Sequence, residues 1–296
     1  MIIYLDQNKW IELARIENGI DKSNRDIKIL DKFKNASKNG CVFPLASTHY
    51  IELSRIKNPD RRRRLGSFMW ELSQGTALLS YKQIIEREIE VALQSLGLQI
   101  TVRELNIIGS GIDFIFGNLV KPKNFNYDNL LICKDILTGE GAFGFNSMQT
   151  MNLDFHRKNF FNHLEEINEK KHLLSKSKWD DWLHAISMTD IIKPLFEVFC
   201  LHNLNKSILE NMNKDELKNL LMMIPTRKLD IHLHRQVIRN DEYKPKHSDL
   251  EDWAGIGLAS CYCDIVVCEK HFADMLQRDS YKPFARIVRN LDDVFN

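Results

Sequence analysis

The sequence predicts an α/β fold in which a central parallel sheet of about five strands is flanked by helices and interrupted by a large all-helical insertion. Strand-like and helix-like segments alternate over residues 1–82, and the alternation returns over residues 245–296. Between them, residues 83–244 show almost only the periodicity of helices. We therefore expect one α/β domain, 1–82 and 245–296, that is split by a helical insertion, 83–244.

The expected strands are short and apolar. The first, Ile2–Leu5, is an unbroken apolar run, which is typical of a strand buried on both faces of a sheet. Four later segments have similar character: Cys41–Leu45, Thr76–Ser80, Asp264–Cys268 and Ala285–Val288.

Pairs of helices are expected between the first three strands. The segments with helical periodicity are Lys9–Arg15, Asp26–Ser37, Ser47–Lys57 with Ser47 as N-cap, and Asp60–Ser73. Gly40, Pro59 and Gly75 supply stop signals. A β-α-α-β-α-α-β order gives connections long enough to cross over the sheet, which favours parallel strands.

The insertion is expected to consist mainly of amphipathic helices. These are Ile84–Leu96, Asp154–His172, Asp180–Asn203 and Lys214–Met223. The glycine-rich stretch Gly139–Gly144 is expected to be a loop. Because no strand precedes it and no helix follows it, it does not fit a phosphate-binding loop.

Composition excludes several classes of protein. The 296 residues carry a formal net charge of +1, so no global field attracts nucleic acid and any basic surface must be local. The sequence has no apolar run of about 18 residues, so no membrane span is expected. The N-terminus lacks the pattern of a signal peptide. The six cysteines form no CxxC pair, which favours reduced thiols and a cytoplasmic location.

Two acidic residues follow the first two strands. Asp6 comes directly after the first strand, and burying its bare charge inside the sheet would be too costly. We expect it at the carboxyl end of the strand, where open α/β sheets place their sites. Glu52 lies in the helix that begins at the same edge and can face Asp6. A surface ion pair with Arg55 is the simpler interpretation of Glu52 alone.

A second group of acids precedes the fourth strand. Ser248 and Glu251 have the spacing of a capping box at the start of a helix, so Glu251 is expected to be structural. Asp249 and Asp252 fall in the first turn, where the helix dipole alone would favour acids.

The same helix contains two glycines in its middle. Gly255 and Gly257 cost about 1 kcal/mol each relative to alanine. Close packing of the helix on the sheet would offset this cost, and it would also hold Asp252 rigidly over the sheet edge.

Acids flank the fourth strand at both ends. Glu269 lies just beyond its carboxyl end, on the edge where Asp6 is expected, and Asp264 lies at its start. Strand direction therefore favours Glu269 as a partner of Asp6.

These residues resemble the PIN-like nuclease superfamily at both ends of the chain, over about residues 1–82 and 245–296. Asp6-Gln7-Asn8 after a hydrophobic strand is similar to the family's opening motif, and Glu52 is similar to its helix-borne acid. The stretch from Asp249 to Lys270 resembles the closing block. Cys268-Glu269 stands where many members have Thr-Asp, and Tyr-Cys-Asp before this strand keeps Asp264 a candidate.

The resemblance implies a metal-dependent nuclease that uses Mg²⁺ or Mn²⁺. It implies catalytic and metal-binding roles for four acids, Asp6, Glu52, Asp252 and Asp264, with Asp249 and Glu269 as secondary candidates. Hard divalent cations prefer carboxylate oxygens, and clustered carboxylates cannot all stay ionised without a cation. The implied reaction is hydrolysis of phosphodiester bonds, in RNA more than in DNA. A toxin, a defence nuclease, an RNA-processing enzyme and a regulator all fit the sequence.

Several polar and basic residues are expected to bind the substrate: Asn8, Arg61, Arg62, Arg64 and Lys270. Arginine binds phosphate through two parallel hydrogen bonds, although a solvated helix face is the simpler interpretation of the arginine run. The insertion is expected to select substrate, or to mediate a homo-oligomer or a protein partner. Two alternatives remain open: a non-catalytic PIN-like binding module, and an unrelated α/β protein whose acids form caps and ion pairs.

Overall fold

The computed structural model describes residues 1–117, 129–141 and 153–296, and within them the chain is a mixed α/β protein that is mostly helical. The strands are β1 (Ile3–Leu5), β2 (Ala77–Leu78), β3 (Ile108–Gly109), β4 (Ile265–Val267) and β5 (Arg286–Val288). The helices are α1 (Gln7–Glu17), α2 (Asn24–Lys38), α3 (Ser47–Ser54), α4 (Pro59–Ser73), α5 (Tyr81–Ser95), α6 (Ile112–Phe116), α7 (Asn129–Thr138), α8 (Leu153–Lys170), α9 (Trp179–Leu201), α10 (Ser207–Glu210), α11 (Lys214–Met222), α12 (Pro225–Arg239), α13 (Asp249–Tyr262) and α14 (Lys270–Gln277).

The chain forms two compact units. The first comprises residues 1–80, 107–158 and 248–296, and the second comprises residues 81–106 and 159–247. Residues 107–158 thus group with the two ends of the chain, whereas the sequence-based division places them in the insertion. The assignment of a nuclease domain and an insertion stays a prediction.

A three-stranded parallel sheet forms the centre of the first unit. Its order is β1-β4-β5, with Ile3 opposite Ile265 and Ile265 opposite Arg286. All three residues of β1 are buried, and so are those of β4. Burial on both faces explains the unbroken apolar runs that predicted these strands.

The expected strand Cys41–Leu45 contributes single bridges instead of a ladder. The Ile3 N–H donates to the Val42 carbonyl at 2.8 Å, and the Leu78 N–H donates to the Leu45 carbonyl at 2.7 Å. Between them lies Pro44, which has no N–H to donate. The predicted parallel sheet of about five strands is therefore not confirmed, and the parallel ladder has three strands.

The β2 strand pairs with β3, which is not predicted from the sequence. Ala77 and Leu78 lie antiparallel to Gly109 and Ile108. A pair of residues is too short to show a strand period, so only its contacts reveal it.

The helices expected in the insertion are confirmed to within a few residues, as with α5 (Tyr81–Ser95) and α9 (Trp179–Leu201). Of the expected loop Gly139–Gly144, residues 142–144 lie outside the described residues. No helix of the described chain is long and apolar enough to span a membrane.

The helix after the second expected strand is shorter than predicted. It begins at Ser47 with Ala46 as N-cap and ends at Ser54. Asn58 caps the next helix by accepting the Arg61 N–H at 2.9 Å, which requires an extended backbone and prevents a continuous helix.

Candidate active site

Asp6 lies at the carboxyl end of β1, where the sequence places it. Its N–H donates to the Val267 carbonyl at 2.9 Å, which ties it to the end of β4. Its carboxylate caps α1 by accepting the Gln7 N–H at 2.8 Å. Asp6 is buried, and burial together with the charge of Glu269 raises its pKa to about 6.

A buried histidine supports the strand end that carries Asp6. His49 accepts the Ala46 N–H on Nδ1 at 3.0 Å, so its Nε2 donates to the Leu5 carbonyl at 3.1 Å. The ring also stacks on Tyr4. Burial lowers the pKa of His49 to about 3, so the ring is neutral. Its hydrogen bonds to Ala46 and Leu5 connect the start of α3 to the end of β1.

Glu52 and Asp252 come from α3 and α13, two helices that pack against each other. Burial raises the pKa of Glu52 to about 9, with further contributions from the charges of Asp252 and Asp6. Burial raises the pKa of Asp252 to about 8, and the charge of Asp6 adds to the effect. The three acids therefore lie within electrostatic reach of one another at one end of the sheet.

A buried tyrosine lies within electrostatic reach of the three acids. Tyr4 is on β1, and burial raises the pKa of its phenol, with added contributions from Asp6, Glu52 and Asp252. Its hydroxyl is hydrogen-bonded to the side chain of Thr48. From the sequence, Tyr4 is predicted only as part of a strand.

Gly255 lets α13 approach this tyrosine closely. A Cβ added at Gly255 would lie 2.4 Å from the Tyr4 hydroxyl oxygen and 2.8 Å from the Thr48 Oγ1. The expected close packing of this helix on the sheet is confirmed at Gly255, and this packing places Asp252 at the sheet edge.

Glu251 forms an arginine clamp, which we define as Arg55, Glu251 and Arg157. The Arg55 Nη1 donates to the Glu251 Oε1 at 2.7 Å, and the Arg157 Nε donates to the same oxygen. Ser248 makes no side-chain capping bond, so the predicted capping box does not form. Arg55 pairs with Glu251 instead of Glu52.

The arginine clamp adds positive charge beside the acids. Arg157 lowers the pKa of Glu52, against the larger effects of burial and neighbouring acids. The Glu251 Oε2 and the Arg55 Nη2 are buried and have no hydrogen-bond partner. Arg157 lies 94 residues from Glu251 in the chain, and no sequence signal predicted its role.

Glu269 shares the edge that Asp6 occupies. It lies just beyond β4 and accepts a hydrogen bond from the Asn8 Nδ2 at 2.7 Å. Glu269 and Asn8 are both exposed. Asn8 therefore orients Glu269, whereas the sequence predicts that it binds the substrate.

Asp264 is not brought to this edge. It is exposed at the start of β4, and its Oδ2 accepts the Ile2 N–H at 2.7 Å. Because β1 and β4 are parallel, Ile2 and Asp264 lie at the amino ends of their strands, opposite Asp6. Its expected role as catalytic residue and metal ligand therefore has no geometric basis here.

Asp249, the first residue of α13, is buried and raises the pKa of Asp252 by its charge.

The predicted phosphate-binding arginines differ in accessibility. Arg62 is buried and donates to the Ile136 carbonyl, and burial lowers its pKa. It is therefore a structural residue of the α4–α7 contact, not a surface ligand for phosphate. Arg61, Arg64 and Lys270 are exposed, as a substrate-binding role would require.

The acids interact electrostatically without standing in ligating positions. Within residues 1–117, 129–141 and 153–296, no group of three or more His, Cys, Asp or Glu side chains is placed to hold a metal ion. The donor chemistry fits a hard cation, because Asp6, Glu52 and Asp252 offer only carboxylate oxygens. Their raised pKa values also show that three negative charges are not stabilised there by the protein alone.

Comparison with known proteins gave no relatives. No protein-family model, no curated protein and no solved structure matches this chain.

Proposed function

We propose that this protein is a PIN-like, metal-dependent nuclease that hydrolyses RNA, with Asp6, Glu52 and Asp252 as its central acids. The observation that carries the proposal is the convergence of these acids from three elements, β1, α3 and α13, at the carboxyl end of a parallel sheet. Such an edge is where open α/β sheets place their sites. Reduced thiols and a cytoplasmic location belong to the same proposal.

The three carboxylates would hold Mg²⁺ or Mn²⁺ once side-chain rearrangement brings their oxygens together. A bound cation would lower the pKa of an attacking water and stabilise charge on the phosphodiester. It would also offset the burial of charge and the repulsion between acids that together raise the pKa of Glu52 to about 9 and that of Asp252 to about 8.

The chain's own residues would perform the supporting tasks. The Gln7 N–H fixes the rotamer of Asp6, and His49 holds the carbonyl at the end of β1. Asn8 orients Glu269, which would contribute through water. Arg157 is held at the site by Glu251, and its side chain is 20% exposed, so it can bind a phosphate oxygen of the substrate.

The test is a cleavage assay on single-stranded RNA and DNA with Mn²⁺ or with EDTA. We expect the wild-type protein to cut RNA only with the metal. Asp6→Asn should lose at least about 100-fold in rate, because it removes one ligand charge from the site. Asp264→Asn is the matched control, since that acid lies at the other end of the strands, and it should keep wild-type activity.

Three results would count against the proposal. Cleavage that persists in EDTA would exclude a metal requirement, and full activity of Asp6→Asn would exclude Asp6 as a ligand. A Mn²⁺-dependent rise in melting temperature without cleavage would favour the non-catalytic alternative, because a ligand that binds only the folded state stabilises it.

A further inference from the structure

A cleft of about 420 Å³ opens in the second unit. It is lined by His172, Lys176, Trp179, Arg239 and Asp241. These residues come from the turns after α8, the start of α9 and the end of α12. The volume lies within the range of about 300–1,000 Å³ that small-molecule sites occupy.

A buried lysine builds the walls of this cleft. Lys171 is only 2% exposed, and its Nζ pairs with the Asp241 carboxylate at 3.0 Å and donates to the Asn240 carbonyl at 3.2 Å. The Trp179 Nε1 in turn donates to the Lys171 carbonyl at 3.1 Å. Because a buried ammonium is costly unless it is paired, these bonds fix both walls relative to each other.

The lining carries an excess of positive charge. Asp241 is the one acid among the lining residues that the structure describes, and its hydrogen bond to Lys171 lowers its pKa, with smaller contributions from His172 and Lys176. The charge of Asp241 is thus offset by Lys171. By formal charge, the lining therefore holds two cations, Lys176 and Arg239, against the single acid Asp241, which favours an anionic ligand.

An aromatic ring lies beside these charges. The Lys176 Nζ is 5.8 Å from the centroid of the Trp179 ring, within the range of a cation–π contact. This contact keeps the ammonium next to a flat apolar surface. A ligand with both a phosphate and a planar ring matches this pair, since bases stack on aromatic side chains and phosphates pair with lysine and arginine.

We propose that this cleft binds a phosphorylated nucleoside through Lys176, Arg239 and Trp179. The nucleoside can come from a free nucleotide or from the 5′-terminal nucleotide of an RNA strand. The second source rests on the proposed nuclease function, whereas the first does not.

The test measures binding by calorimetry in EDTA, using the full-length Asp6→Asn protein so that no cleavage occurs. The probes are AMP, inorganic phosphate, and a short single-stranded RNA with or without a 5′-phosphate. Binding of AMP together with weaker binding of inorganic phosphate supports the proposal. Equal affinity for AMP and the phosphorylated RNA assigns a free nucleotide, and tighter binding of the RNA only when it carries the phosphate assigns a strand end.

Two lysines provide a matched pair of variants. Lys176 and Lys178 lie in the same short turn and are both exposed, but only Lys176 lines the cleft. We expect Lys176→Gln to weaken AMP binding roughly tenfold, the value of one charge-assisted hydrogen bond, and Lys178→Gln to leave it unchanged. Arg239→Gln should weaken it similarly.

Two outcomes would overturn the proposal. One is that neither AMP nor the phosphorylated RNA binds, and the other is that Lys176→Gln and Lys178→Gln have equal effects. Because the protein is metal-free and Asp6 is replaced, neither outcome depends on whether the nuclease proposal holds.

Discussion

Glu52 and Asp252 hold protons at neutral pH in the metal-free protein, because burial and neighbouring acids raise their pKa values to about 9 and about 8. An unfolded chain would release those protons near pH 4 to 5. Between the pKa values of the unfolded and the folded state, the folded protein binds more protons than the unfolded chain, so the free energy of unfolding falls as the pH rises. Below the pKa values of the unfolded chain both states are protonated, and these groups no longer make stability depend on pH.

This linkage predicts the behaviour of Glu52→Gln without metal. At pH 8.5 the variant should melt roughly 2–4 °C above wild type, which corresponds to about 1 kcal/mol. Glutamine removes a carboxyl group that is ionised in the unfolded chain but still largely protonated in the folded protein, and this difference favours unfolding of the wild type. At pH 4 the two proteins should melt together. Scanning calorimetry across this range measures both values.

The control for this prediction is Glu71→Gln, which changes an exposed glutamate on α4. It should show no gain at pH 8.5. A gain of equal size at both pH values for Glu52→Gln would mean that packing, and not charge, sets the effect.

At the scale of elements, the site depends on how closely α13 lies on β1. Gly255 provides the space for the Tyr4 hydroxyl, and the spacing of two glycines in a helix was enough to predict close packing. The partner of that glycine was not predictable, because it comes from the other end of the chain. The distance between a helix and the strand it packs on depends on side-chain volume at the contact, and a larger side chain there destabilises the fold.

Replacing Gly255 by alanine tests this contact. The added Cβ would lie 2.4 Å from the Tyr4 hydroxyl, so we expect a loss of about 1–3 kcal/mol in urea unfolding. Tyr4→Phe in the same protein removes that oxygen and should recover part of the loss. A neutral Gly255→Ala, or the absence of any recovery in the double variant, would contradict the close approach.

The elements also show where the sequence was informative. Strand direction alone favoured Glu269 over Asp264, and the hydrogen bonds agree, since Asp264 binds the Ile2 N–H at the amino end. The apolar run Cys41–Leu45 looked like a strand, but Pro44 limits it to single bridges. The spacing of Ser248 and Glu251 predicted a capping box that does not form, because the Glu251 carboxylate pairs with two arginines distant in sequence, Arg55 and Arg157.

At the scale of the whole molecule, the acids of the candidate site all belong to the first unit, whose residues come from three separated stretches of the chain. Sequence motifs were enough to predict that the two ends of the chain belong to one domain, because each end carries acids beside a recognisable strand. The grouping of residues 107–158 with these ends was not predictable, since neither this grouping nor the ion pair of Arg157 produces a local sequence pattern. Because the net charge is only +1, any attraction of an anionic ligand must come from local groups of charged residues in one unit or the other.

The most direct measurement of the central claim is the position of Mn²⁺ in crystals of this protein, read from its anomalous scattering. We expect a peak in contact with the carboxylates of Asp6, Glu52 and Asp252, and loss of that peak in Asp252→Asn crystals grown under the same conditions. A protein saturated with Mn²⁺ that shows no peak among these three acids, or a peak only elsewhere, would contradict it.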